Sequence, residues 1–161
     1  MTNSLRKIEK LDQHIWCATS GVVPDARTLI DHARVETQTH WFNYNETISV
    51  GVCATSVGKL MGHFGTGKMS RPYGVGMLIA GIDEKGPQLY YVDPSGTKTQ
   101  FKAKAIGSGQ ESAQNALKDE YSDDMTLEQA KEKALEILAQ VISEKINDHN
   151  VEVAIIPVNP Q

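Results

Sequence analysis

The sequence has only two cysteines, Cys17 and Cys53, and aromatic residues make up 6% of its 161 positions. The cysteines lie far apart without metal-ligand spacing. The first ten residues lack the apolar segment of a secretory signal. Both thiols are therefore expected to be reduced and mostly buried. Without a secretory route, the Asn45-Glu46-Thr47 sequon carries no glycan. Long apolar runs are missing too, and none approaches the roughly 18 residues a membrane span needs. Positive charge is scattered: 16 Lys and Arg stand against 20 Asp and Glu, for a net charge of -4. That excludes the basic block by which proteins grip phosphate backbones, and nucleic acid with it.

At 40% hydrophobic and 22% charged, the composition suits one globular domain. No linker or low-complexity run divides it, so one domain over residues 1–161 is expected. Alternation in residues 7–11 and the run at 15–19 predict two short strands, with Asp12-Gln13-His14 turning between them. Pro24 and Asp25 suit the first turn of a helix. Ala26, Ile30, Ala33, Thr37, Trp41 and Tyr44 then fall on one face. Arg27, Asp31, Arg34 and Gln38 fall on the other. Ser49 is placed to cap a second helix, whose apolar stripe is Val50, Cys53, Ala54, Val57, Leu60, Met61 and Phe64.

Residues 73–80 read as a strand covered on both faces. Residues 88–92 and 97–103 read as two more, joined by the turn residues Asp93-Pro94-Ser95-Gly96. Ser108 with Glu111, and Thr126 with Gln129, have capping-box spacing for helices ending near Tyr121 and Ile146. Leu127, Ala130, Ala134, Ile137, Leu138 and Val141 form the buried stripe of the second. Residues 151–156 read as a closing strand, stopped by Pro157. Hairpins alternating with helix pairs imply an α+β fold with helices on the outer faces of sheets. The two strands before the first helix supply little surface for such apolar stripes, as if sheet were missing at the start.

Few motifs carry chemistry. Residues 62–68 (GHFGTGK) have P-loop spacing, but Met69 stands where the magnesium-binding Ser or Thr belongs, and a helix precedes them. A helix-ending loop is the better reading, with no nucleotide site. Thr2, if exposed by loss of Met1, could act as an N-terminal nucleophile. Its neighbours Asn3 and Ser4 do not form a strand that would hold it, so it reads as a polar terminus. His14, His32, His40, His63 and His149 have no metal-ligand grouping. Asp123 and Asp124 read as helix-dipole charges. No catalytic residue, metal or cofactor is expected. Ser20-Gly21-Val22 precedes the first helix, where backbone N–H groups favour an anion such as a carboxylate, and Lys7 lies on a strand that could run alongside.

Several segments resemble the alpha-type subunits of the 20S proteasome. Residues 20–27 (SGVVPDAR) resemble that family's strand-to-helix junction. Residues 69–96, including Arg71-Pro72-Tyr73-Gly74-Val75 and Asp93-Pro94-Ser95-Gly96, resemble its central hairpin. Ala105-Ile106-Gly107-Ser108 resembles the start of its third helix. Residues 28–47 (TLIDHARVETQTHWFNYNET) resemble the alpha type-5 branch rather than its six paralogues. The resemblance implies an N-terminal nucleophile hydrolase fold, a four-layer αββα sandwich with antiparallel sheets. Against that pattern the chain reads as truncated at both ends, lacking a gating tail, a helix and two strands ahead of it and the last strands and helix after it.

The resemblance further implies a non-catalytic subunit of a seven-membered ring, stacked on the catalytic beta ring in the cytoplasm and nucleus. Its role there is ring assembly, gating of substrate access and activator docking in ubiquitin-dependent degradation. Implied partners are the neighbouring alpha type-4 and alpha type-6 subunits, beta subunits and the C-terminal tails of activators, including regulatory-particle ATPases. Lys7 falls on the lysine of the family's pocket between neighbouring subunits, which receives the C-terminal carboxylate of activator tails, and Gly21 and Val22 fall on the backbone positions that complete it. Trp16 departs from the family, which has a small residue there. The alternative is a beta-type threonine hydrolase built on Thr2.

Overall fold

A computed structural model describes residues 7–68 and 70–158, which form two compact units. In the first, residues 7–102 with 153–158, the strands are β1 (Ile8–Asp12), β2 (Ile15–Gly21), β3 (Val75–Asp83), β4 (Gly86–Val92) and β5 (Lys98–Phe101). Helices α1 (Val23–Tyr44) and α2 (Val50–Met61) lie between β2 and β3 in sequence. The sheet runs β1-β2-β3-β4-β5, and every neighbouring pair is antiparallel.

Strand side chains alternate in direction, so one face gathers Ile15, Cys17, Val75, Met77, Ile79 and Val92, all buried. On α1 the buried set is Asp25, Ala26, Leu29, Ile30, Ala33 and Thr37. On α2 it is Val50, Cys53, Ala54, Val57, Gly58 and Met61. The apolar members of these sets form one core between the helices and the sheet. The sheet under the helices is therefore ample, contrary to the expectation of missing surface there. What is incompletely covered is its other face. Leu78, Ala80 and Ile82 are only half-buried, so β3 is not fully covered on both sides. That face carries a cross-strand row, Lys10, Trp16, Ala80, Leu89 and Phe101.

Trp41 and Tyr44 are 52% and 66% exposed, not part of the buried stripe. At roughly 1.5 Å per residue, α1 runs about 33 Å and outreaches β2, about 23 Å at roughly 3.3 Å per residue. The helix ends on Asn45 in the left-handed region, φ 52°, whose N–H donates to the Trp41 carbonyl at 2.8 Å. Ser49 caps α2 as expected, its Oγ accepting from the Val52 N–H at 3.2 Å. Asp83 at the end of β3 adds an acceptor for the Val50 N–H at 3.0 Å. Buried His14 ties the β1–β2 turn to the loop between the helices, with Nε2 2.7 Å from the Ile48 carbonyl.

The second unit, residues 103–152, holds α3 (Gln110–Glu120) and α4 (Leu127–Val141). Thr126 and Gln129 form both bonds of a capping box. The Ser108–Glu111 box does not form, and Gly109 is the N-cap with no side-chain bond. Gly107 at φ 107° turns the chain there, and Val141 Cγ1 occupies the space a Cβ on Gly109 would need. Helix α4 stops at Val141, short of Ile146. Side-chain to backbone bonds from Asn147 and Asn150, one reaching the Lys145 carbonyl at 2.9 Å, compete with helical pairing beyond it. Of its expected stripe only Ile137 is buried, and Leu127 is 59% exposed. Residues 151–156 form no strand and join no ladder among the described residues.

Two outcomes follow from this packing. Leu29→Ala should cost about 2–5 kcal/mol by leaving a core cavity, and Ser49→Ala about 1 kcal/mol by removing a cap. Both are measurable by urea unfolding followed through tryptophan fluorescence. Burial, first among the causes, pushes the Cys17 and Cys53 thiols up to about 12. Neither should react with Ellman's reagent at pH 8 in the folded chain, and both should react in guanidinium.

Candidate functional site

Of the residues singled out for anion binding, Gly21 and Val22 stand where β2 passes into α1, and Lys7 lies opposite Thr19. Lys7 is exposed just ahead of β1, and its carbonyl accepts the Thr19 N–H at 3.4 Å. Successive N–H groups along a strand point to opposite sides. The Gly21 N–H, two residues beyond Thr19, therefore faces the side of β2 on which Lys7 lies. The Val22 N–H faces the other way and donates to the Gly74 carbonyl at 2.9 Å. The Gly21 N–H and Lys7 thus lie on the same side of β2. Val22, 46% exposed, is the N-cap of α1 with its amide already engaged.

Gly21 has φ 131°, and a Cβ there would strike the Gly74 carbonyl oxygen. Only glycine combines that dihedral with so close a neighbour. Asp25, in the first turn of α1, does more than favour the helix dipole. Its Oδ2 accepts from Arg71 Nη1 at 2.7 Å and its Oδ1 from Arg71 Nη2 at 2.8 Å. Oδ2 also accepts the Gly74 N–H at 3.0 Å. The forked geometry matches a planar guanidinium to a carboxylate. Arg71, ahead of all other causes, and then the Gly74 N–H hold the Asp25 carboxyl down at about 2. The same pair raises Arg71. Sequence reasoning marked both residues without pairing them. The partners are 46 positions apart, and no local spacing signals such a bond.

Thr2 and Met69 lie outside the described residues. The glycine-rich loop follows a helix, as expected, and runs as a 3-10 turn over Gly62–Thr66. Its Thr66 hydroxyl donates to the His63 carbonyl at 2.8 Å and its Lys68 N–H to the same oxygen at 3.2 Å. Among the described residues no group of three or more His, Cys, Asp or Glu could hold a metal. His32 Nε2 instead lies 2.9 Å from Ser56 Oγ, linking α1 to α2. Trp16 is half-buried on the outer sheet face, its ring 6.0 Å from Lys10 Nζ. No helix among the described residues is long and apolar enough to cross a membrane.

Comparison with known proteins gives a consistent result. A family model described as Proteasome subunit matches residues 1–156. The Dictyostelium discoideum proteasome subunit alpha type-5 is 53% identical over 160 residues, covering 96% of this chain and 66% of the relative. The alpha type-5 subunit of Trypanosoma brucei brucei is 48% identical, covering 98% of the chain and 66% of the relative. That of Drosophila melanogaster is 50% identical, covering 94% and 65%. The chain thus spans just under two thirds of the length of these relatives.

The clamp gives a signed pH dependence. A carboxyl depressed in the folded state stabilises fully above its ordinary pKa of about 3.9, and that contribution is lost as pH falls through about 2. Carbon-detected NMR titration should place the Asp25 midpoint near the lower value. Arg71→Leu should return it toward the ordinary range.

Proposed function

The chain belongs to the proteasome subunit family, and from that membership we propose that it is a non-catalytic alpha-type subunit of the 20S core particle, of the alpha type-5 branch. One observation carries this reading: identity of 48–53% to alpha type-5 subunits, spread over 94–98% of the chain. In this role it sits in the seven-membered alpha ring beside alpha type-4 and alpha type-6, against the beta ring. It supports ring assembly, gating of substrate access and activator docking in ubiquitin-dependent degradation, in the cytoplasm and nucleus. It needs no cofactor and cleaves no peptide itself.

The same reading completes the fold as a four-layer αββα sandwich of the N-terminal nucleophile hydrolase type, with residues 1–161 belonging to a single alpha-type domain. The half-buried outer sheet face supports it, because Trp16, Leu78, Leu89 and Tyr91 are apolar groups that a second sheet would cover. Lys7, Gly21 and Val22 form the pocket for the C-terminal carboxylate of an activator tail. The Lys7 ammonium and the Gly21 N–H supply donors on one edge, and Val22 walls the other side.

The test is recovery of a tagged chain from eukaryotic cytosol, with bound subunits identified by mass. Other alpha subunits together with beta subunits are the expected partners, and chaperones alone would count against an assembling role. The purified chain should hydrolyse no fluorogenic peptide. Activity abolished by Thr2→Ala would overturn the alpha-type reading in favour of a beta-type threonine hydrolase.

A further inference from the structure

His14 is the one buried histidine among the described residues, and both of its ring nitrogens face acceptors. Nε2 lies 2.7 Å from the Ile48 carbonyl oxygen. That oxygen only accepts, so Nε2 carries the proton and the neutral ring keeps a lone pair on Nδ1. Nδ1 is shut off from solvent and finds no donor among the described residues. What stands 3.8 Å from it is a second acceptor, Asp12 Oδ2. A buried acceptor without a donor is costly, and one added proton satisfies both atoms. The β1–β2 ladder shifts register between Lys10 and Asp12, and such shifts re-aim side chains. Asp12 Oδ1 accepts the Gln13 N–H at 2.7 Å, which holds the carboxylate at the same turn as the ring. Closing by about 1 Å brings the pair to the roughly 2.7–2.9 Å of a charge-assisted N–H···O bond.

We propose that His14 and Asp12 form a proton-operated latch on the loop between α1 and α2. Unprotonated, His14 holds the loop through the Ile48 carbonyl alone. Protonated, it donates to Ile48 through Nε2 and to Asp12 through Nδ1, so one ring pins the loop to the end of β1. The proton comes from solvent, and the Asp12 carboxylate balances its charge. The latch stands on the fold alone and is independent of the pocket assignment.

Other charged and titratable groups lie on the elements packed around the ring. On β1, Lys10 Nζ donates to Gln13 Oε1 at 3.3 Å. At the end of β3, Asp83 accepts the Val50 and Lys85 N–H groups. On α1, Arg34 pairs with Glu9, and Glu36 and His40 follow. On α2 there is the Cys53 thiol. Asp12 alone among the carboxylates stands within 4.0 Å of a His14 nitrogen. His40 lies 3.8 Å from Glu46 in the same loop, but Glu46 is 67% exposed, and solvent leaves such a pair little weight. Burial and pairing predict opposite signs. Protonating a ring shut off from water costs desolvation, and by itself loosens whatever the ring holds. Pairing with Asp12 tightens the loop on acidification, and that contribution is lost again as pH rises.

The experiment measures amide hydrogen exchange of Val50 and Cys53 in the full chain at pH 8 and pH 5.5, on either side of the range in which histidine ordinarily takes up a proton. Each rate is referred to that of an unstructured chain at the same pH, and nitrogen-15 spectra of the His14 ring are recorded alongside. In the native chain Nε2 alone should carry a proton at pH 8 and both nitrogens at pH 5.5. Protection at Val50 and Cys53 should rise about threefold on acidification. Asp12→Asn should abolish the rise, because its amide can donate to the unprotonated ring and holds it equally at both pH values. His14→Gln, with a donor for Ile48 but no titrating nitrogen, should be equally flat, while Glu46→Gln should keep the rise. Protection that falls or stays constant in the native chain would overturn the latch, as would a rise that survives Asp12→Asn. Should Asp12→Asn fail to fold, the native Asp12 carboxyl carbon decides. A signal that stays still while the His14 ring takes up its proton rejects the proposal.

Discussion

Everything in the first unit depends on two helices burying one face of a five-stranded sheet. Ile15, Cys17, Val75, Met77, Ile79 and Val92 all point the same way, because side chains alternate along a strand and each strand is antiparallel to the next. Burying one such aliphatic side chain contributes roughly 1.5–3 kcal/mol. A slip of one residue in β3 would turn Met77 and Ile79 outward, so this face also sets the register. Bonds such as Asp83 to the Val50 N–H and His14 to the Ile48 carbonyl then orient the helices on that surface. On the edge strand, Arg34 Nε reaches the Lys10 carbonyl at 2.9 Å, beside the register shift between Lys10 and Asp12. Together with a lysine on the strand, this occupies an edge that would otherwise be open to pairing.

The candidate site follows from the same packing. With β2 between β1 and β3, residue 21 lies opposite Val75, and the chain must turn into α1 immediately afterwards. The turn brings the start of α1 against Gly74, and glycine at 21 and 74 lets the two backbones approach. Asp25 and Arg71 secure that approach, while Lys7 lies on the far side of β2, opposite Thr19.

The outer face of the sheet and the second unit tell a complementary story. Trp16, Leu89 and Phe101 line up across the strands but stay half-buried. In α4, Leu127 and Leu138 are exposed although the sequence gives them a helical stripe. Apolar periodicity announces that a surface is suited to burial, and a partner surface must then arrive to bury it. The spacing of these residues was legible; the presence of a covering layer was not.

Local physics determined much of this protein from the sequence alone. The strands β1 to β4, the α2 stripe from Val50 to Met61, the Ser49 and Thr126 caps and the Asp93–Gly96 turn all depend on residues within a few positions of each other, and each could be read there; the Phe64 side chain lies outside the described residues. Family membership was legible for a similar reason, since long runs of consecutive residues carried the resemblance. The outcomes decided only by tertiary structure involve distant partners. Asp25 needed Arg71, 46 positions away. Trp41 and Tyr44 lost their burial because α1 outreaches the strand it follows. Gly109 stands as the cap in place of Ser108, with Val141, 32 positions away, filling the space a side chain there would need. Residues 151–156 had strand composition but join no ladder among the described residues. Propensity is a property of a few adjacent residues, whereas burial and hydrogen bonding depend on what the rest of the chain brings to meet them.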